Sequence, residues 1–298
     1  MAGNPTPYAS SPTSTAGVRE IKYMDTIDAY DQWAQASVFY LVYDTDGNFL
    51  QALDTLQMQS LLPKFISLLP KINPNTTTSA PKLIDLGCGT GRNTIPLLRA
   101  APTDATIIGL EPSSKMLQIA QDKVSAYIAR AAEIPPAGVV DKQRDTGPED
   151  EGRVSFQIFN LLDFNCAAEG AGGVTGLADS DGVISTLVIE HVPVDKFFRA
   201  AAGMLKRGGV LLVTNMHSEM GRISQAGFVD PVTGVKIRPT SFAHTVAEIV
   251  EAAEKVGFEV LGDIKEVRVN EELAGRLGPR AQKWIDVQVW CGGCFRKR

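Results

Sequence analysis

The chain predicts an α/β fold, a mostly parallel sheet covered by helices on both faces. Three observations predict it. Short apolar runs alternate with helical stretches along most of the 298 residues. The run Lys82 to Leu86 ends in a glycine turn, Gly87-Cys-Gly-Thr-Gly91, and a helix opens near Arg92. A second run, Thr106 to Leu110, ends in an acid, Glu111, about twenty residues past that turn.

Residues 1–20 are rich in Pro, Ser, Thr and Ala with no apolar centre, so they read as a disordered tail rather than a signal peptide. Residues 21–75 form a helical N-terminal lid, with apolar positions at Phe49, Leu50, Leu53, Leu56, Leu61 and Phe65. Asn73 to Ala80 is a polar linker into the main domain, residues 76–298. After Glu111, Ser113 caps a helix whose Met116, Ala120, Val124 and Ile128 recur every four residues. Residues 138–153 mix charge, Gly and Pro and read as an exposed insertion before a third strand, Val154 to Phe159.

The fourth strand is Gly182 to Leu187. A helix from Val194 to Leu205 stops at Gly208-Gly209, and the fifth strand is Val210 to Asn215. A second insertion, residues 218–243, carries a hairpin around Asp230 to Gly234. Thr245-Val-Ala-Glu248 is a capping box, opening a helix that Gly257 closes. Phe258 to Val269 and Asp286 to Phe295 are the last strands.

The glycine spacing narrows the ligand. Dinucleotide sites use G-x-G-x-x-G, but the last position here is Arg92. A phosphate loop needs G-K-[ST], which is absent after Gly91. Asp85 beside the turn repels phosphate and suits a cation. Glu111 at the next strand end is placed to accept both hydroxyls of a ribose. The combination fits a sulfonium and an amino group attached to adenosine.

These residues resemble the class I S-adenosylmethionine-dependent methyltransferases. Asp85-Leu-Gly-Cys-Gly-Thr-Gly91 looks like the family's first motif, and Glu111-Pro-Ser-Ser-Lys-Met116 like its ribose and adenine segment. Asn160-Leu-Leu-Asp163, Ser185 to Val192 and Leu205 to Val213 are similar to the later strand-end segments, with Asn160 standing where an aspartate is usual. Tyr30-Asp-Gln-Trp-Ala34 and Tyr43-Asp-Thr-Asp-Gly-Asn48 resemble the lid of fungal natural-product methyltransferases, interrupted here by Ala36 to Leu41. The resemblance implies a Rossmann-like sandwich of seven strands with the last antiparallel. It implies that S-adenosylmethionine is held by Tyr43, Asp85, Gly87, Cys88, Gly89, Gly91, Glu111, Pro112, Met116, Asn160, Leu161, Leu162, Thr186 and Leu187.

The three histidines each fall at or beyond a strand end on the ligand face. His191 is the first candidate for a base, since Glu190-His191 resembles the E-H of quinone-ring O-methyltransferases. His244 is the second and His217 the third. Some of those enzymes hold a divalent metal with an earlier acid; Leu187 stands at that position, so no metal is expected. Trp33, Tyr40 and Tyr43 are placed to close over the sulfonium.

The expected function is methyl transfer to a small, secondary-metabolite-like acceptor on O, N, S or C. Two other readings stay open: methylation of a protein, and a cofactor-binding subunit of a regulatory complex without its own turnover. The net charge of −5 and the absence of a basic run count against a nucleic-acid partner. No apolar run approaches a membrane span. Four cysteines suggest a reducing compartment, and Cys291-Gly-Gly-Cys294 reads as strand thiols, having no second pair at zinc spacing. A cytoplasmic or nuclear monomer or homodimer is the expectation.

Overall fold

The computed structural model describes residues 20–36, 48–70, 80–133, 152–164, 176–225, 227–230 and 233–298. In chain order, β1 (Ile21–Tyr23) leads into α1 (Thr26–Ala36) and α2 (Phe49–Leu68). There follow β2 (Lys82–Leu86), α3 (Thr94–Ala100), β3 (Thr106–Glu111), α4 (Ser114–Glu133) and β4 (Val154–Ile158). Next come β5 (Ser180–Thr186), α5 (Val194–Met204), β6 (Leu205–Met216) and α6 (Ser218–Ile223). The last part holds β7 (Phe228–Val229), β8 (Lys236–Arg238), α7 (Val246–Lys255), β9 (Phe258–Val260), β10 (Lys265–Arg268), α8 (Glu271–Leu277), a 3₁₀ turn (Pro279–Trp284) and β11 (Gln288–Lys297).

Seven strands cross the main sheet in the order β10-β11-β6-β5-β2-β3-β4, and β9 also pairs with β11. Strands β2 to β6 are parallel, and β11 runs antiparallel beside β6. From β2 the chain moves to β3 on one side and later to β5 on the other. A crevice therefore opens outside the tips of β2, β3 and β5, where open α/β sheets bind ligands.

At the centre of the sheet β2, β3, β5 and β6 are mostly buried on both faces, whereas the edge strands β4 and β10 are partly exposed. Leu83 and Ile84 are adjacent and fully buried, yet they join opposite cores. Leu83 packs with Phe65, Leu97 and Trp290 under α2 and α3. Ile84 packs with Phe197, Phe198 and Phe295 under α5 and α7. Cys291 and Cys294 are buried free thiols that face opposite cores, and burial pushes them up to about 12 and about 11. Cys166 lies outside the described residues.

Local chemistry explains most boundaries. Thr245 and Glu248 exchange side-chain hydrogen bonds with each other's backbone, closing the capping box that starts α7. Ser113 Oγ accepts from Met116 N at 3.1 Å at the head of α4.

The structure departs from the sequence expectations in four places. α3 begins at Thr94, with Asn93 as its cap, rather than near Arg92. α5 stops at Met204 and β6 starts at once, because Leu205 pairs with Ser180; Gly208 turns inside the strand instead of ending the helix. The expected strand Phe258 to Val269 is two strands, broken where Gly262 takes φ 83°. α8 and the 3₁₀ turn after it were not anticipated.

The hairpin of β7 and β8 forms as expected, and β1 adds to it in parallel as a small second sheet. Of the expected lid, α1 and α2 are described; 37–47 lie outside the described residues, as do the tail 1–19 and most of the 138–153 insertion. Among the described residues no helix is long and apolar enough to cross a membrane.

Candidate active site

The site is built from the tip of β2 outward. Gly87 and Cys88 donate their N–H groups to the Leu110 carbonyl at 2.8 and 2.9 Å, folding the turn over β3. Gly89 takes φ 55° and Gly91 φ 79°. Glu111, at the tip of β3, accepts from Gly89 N through one oxygen and from Ser113 N through the other, each at 3.0 Å. Its carboxylate thus fixes the glycine turn and the start of α4 together. Burial raises it to about 7, against those two N–H bonds.

Asp85 lies within β2 and is buried; its Oδ2 accepts from Thr94 Oγ1 at 2.7 Å. Burial raises it to about 6, partly offset by Thr94 and by the Arg92 charge.

A cavity of about 670 Å³ opens above these strand tips. Its floor includes Gly87, Cys88, Gly89, Glu111, Pro112, Met116, Leu161, Thr186, Leu187 and His191. Asp85 and Gly91 lie behind that surface; a Cβ on Gly91 would meet the backbone of Ala120 at 3.3 Å. Asn160 is also off the wall. Its amide caps the 3₁₀ turn Leu161–Asp163, accepting from Leu162 N at 3.0 Å, and Leu162 is 41% exposed. Tyr40 and Tyr43 lie outside the described residues.

The three histidines separate. His191 is buried on the cavity wall, with Nε2 2.9 Å from Tyr30 Oη and Nδ1 2.9 Å from the Thr240 carbonyl oxygen. Glu190 Oε1 sits 3.4 Å from Nε2. Burial lowers the His191 pKa, but Glu190, the Thr240 carbonyl and the Glu111 charge together outweigh it, leaving the group above its ordinary 6.5. His244 is off the wall: its Nε2 pairs with the Val192 carbonyl at 3.0 Å and its ring stacks on Phe242. His217 caps α6 and holds Glu266 at 2.8 Å.

Of the other wall residues, Tyr30 and Trp33 stood in the sequence as lid-motif positions and Phe49 as an apolar position, whereas Phe228, Lys283 and Trp284 were not singled out. Tyr30 stacks on Trp33 at 5.8 Å, and Trp33 on Phe228 at 4.8 Å, joining α1 to the small sheet. Trp284 stacks on Phe49 at 5.8 Å with Lys283 over its ring, closing the opposite side. Glu190, Arg92 and Asn93 also reach the wall. Arg92 pairs with Asp54 at 2.6 Å, and Asp54, fully buried, also accepts from Thr214 Oγ1 and Trp290 Nε1. Asn93 donates to Thr186 Oγ1 at 2.7 Å. Leu187 holds φ 58°, a left-handed conformation costly for a leucine, pinned by its N–H on the Thr214 carbonyl. Among the described residues no three His, Cys, Asp or Glu side chains group as a metal site.

Comparison with known proteins adds the following. A model of a methyltransferase domain matches residues 84–211. A protein of Emericella nidulans, named as an uncharacterized methyltransferase, is 47% identical over 282 residues, covering 91% of each chain. The mitochondrial ubiquinone biosynthesis O-methyltransferase of Rattus norvegicus is 24% identical over 230 residues, 76% of this chain and 56% of that one. Among solved structures, a phosphoethanolamine N-methyltransferase of Haemonchus contortus with S-adenosylmethionine shares the fold. Its TM-score is 0.50 at 17% identity, covering 81% of this chain and 52% of that one.

Proposed function

From the premise that the chain belongs to the class I S-adenosylmethionine-dependent methyltransferases, we propose that it methylates a small, secondary-metabolite-like acceptor enclosed beside His191. The observation that carries this reading is the cavity itself. Its floor is the glycine turn and Glu111, and its sides are Tyr30, Trp33 and Phe228 on one hand and Phe49 and Trp284 on the other. Walls of this kind fit a compact, partly apolar molecule better than a protein surface.

The residues fit the cofactor. Gly89 lines the cavity, and a Cβ built there meets nothing within 4 Å, so the space over the turn is open to a ligand. Each oxygen of Glu111 accepts one backbone N–H, which leaves lone pairs for the two hydroxyls of a ribose. In this reading Cys88, Pro112, Met116 and Leu161 pack around the adenosyl group, and Thr186 and Leu187 border the methionyl end. Asp85 acts from behind the turn, by holding Thr94 at the head of α3. Bound there, S-adenosylmethionine supplies a methyl group activated by a positively charged sulfur. The chain's part is to position the acceptor, exclude water and take up a proton.

Labelled S-adenosylmethionine incubated with the protein and a metabolite extract tests the proposal. Label in small molecules is the expected result. Label confined to protein in a parallel incubation with whole extract would overturn it.

A further inference from the structure

We propose that the acceptor is a hydroxyl compound and that Tyr30, rather than His191, receives its proton, with His191 as the base behind Tyr30. This rests on the methyl-transfer reading of the cavity above.

The argument starts from the two nitrogens of His191. Nδ1 lies 2.9 Å from the Thr240 carbonyl oxygen, and a carbonyl can only accept, so Nδ1 carries a hydrogen. In the neutral ring the lone pair is then on Nε2. Tyr30 Oη, 2.9 Å from Nε2, must donate to it. The base predicted from sequence is therefore already engaged, and an acceptor cannot reach its lone pair without displacing Tyr30. Tyr30 lines the same cavity, and with its hydrogen committed to Nε2 its oxygen can engage an acceptor hydroxyl only as a hydrogen-bond acceptor.

A proton then moves in two linked hops. The acceptor oxygen keeps its O–H electron pair as the O–C bond forms, and the pair of the breaking C–S bond stays on sulfur, which becomes neutral. The released proton goes to Tyr30 Oη, and the proton of Tyr30 goes to Nε2. Tyr30 ends as it began, and His191 carries the positive charge given up at sulfur. That charge meets Glu190, whose Oε1 is 3.4 Å from Nε2, the Thr240 carbonyl and the Glu111 carboxylate, while burial opposes it.

A relay of this strength selects oxygen. An amine attacks through its lone pair before it loses a proton, and a carbon acid needs a stronger base than imidazole. A thiol ionises near pH 8.5 unaided, whereas a phenol, near pH 10, requires help at neutrality.

Two measurements on the full chain test this. Long-range ¹H–¹⁵N correlation, with and without S-adenosylhomocysteine, reads the His191 tautomer: hydrogen on Nδ1 is expected, and hydrogen on Nε2 in the neutral ring overturns the relay. The second is methyl transfer from labelled S-adenosylmethionine to a panel of phenols and matched anilines. Label in phenols is expected, with a rate that falls as pH drops through the His191 pKa, because an imidazolium accepts no proton. In Tyr30→Phe the rate falls about 100-fold while S-adenosylhomocysteine affinity by calorimetry changes less than about threefold. An unchanged or faster Tyr30→Phe means that His191 acts directly, and label only in anilines removes the hydroxyl acceptor; either overturns the proposal. Failure of the wild-type protein to bind S-adenosylhomocysteine overturns instead the methyl-transfer reading beneath it.

Discussion

The clearest physical handle on the site is the ionisation of Glu111. Burial raises it to about 7 without a ligand, while an unfolded chain would lose the same proton near 4.5. A carboxylate that accepts two ribose hydroxyls must be ionised, so cofactor affinity should fall as pH drops through 7. With that value about nine-tenths of the protein is competent at pH 8 and about one-tenth at pH 6, an affinity loss of roughly tenfold or ~1.4 kcal/mol. Between pH 4.5 and 7 the folded, ligand-free protein holds a proton that the unfolded chain has lost. Its stability therefore falls as pH rises across that window, by about 3 kcal/mol from this group alone.

Calorimetric titration with S-adenosylhomocysteine from pH 5.5 to 8.5 measures the first effect. The ligand's own amino group also titrates, so the ratio of wild type to Glu111→Gln is the useful quantity. A ratio that stays level from pH 8 to 5.5 refutes the assignment of Glu111 to the ligand.

Two further substitutions test the frame around the site. Asp54→Ala strands Thr214 Oγ1 and Trp290 Nε1 in the core and removes the partner of Arg92, so it should cost about 3–5 kcal/mol. Thermal unfolding should show a drop of roughly 10 °C; a drop under about 3 °C would mean the network is replaceable. Gly89→Ala and Gly87→Ala should separate binding from folding. A Cβ at Gly89 enters open cavity and should weaken cofactor binding on the order of tenfold, with about 1 kcal/mol of backbone cost. A Cβ at Gly87 lies 2.4 Å from Val188 Cγ2 and should chiefly lower the melting temperature. Equal effects on melting and affinity in both variants would contradict this division.

What could be read from the sequence was what depends on neighbours along the chain. The tip of β2, the acid ending β3 and the Thr245–Glu248 cap are each set within a few residues, and the structure carries all three features where they were expected. The Asp54 network joins positions 38, 160 and 236 residues apart, which no local pattern reports. The pairing of Tyr30 with His191 spans 161 residues, and Tyr30 stood in view only as part of a lid motif. His191, past the fourth strand, and His244, just before the capped helix after the hairpin, were both candidates in sequence; the Val192 carbonyl and the Phe242 ring set them apart. α8 was missed although its signals were present: Asn270 caps it, two glutamates open it and Gly278 ends it. The reading of Phe258 to Val269 as one run passed over Gly262.

The cavity draws its base and its sides from different stretches of chain. The base comes from lining residues within 86–93, 111–116, 159–161 and 186–192, at and just beyond the strand tips of the sheet. The sides come from lining residues within 26–33, 48–51, 216–225, 227–229 and 280–284. On the proposed reading, substitutions that reshape what is methylated can accumulate in one set of segments without disturbing donor recognition in the other. A lineage can in this way take up new acceptors by changing its periphery, and the glycine turn with Glu111 is the last part that has to change.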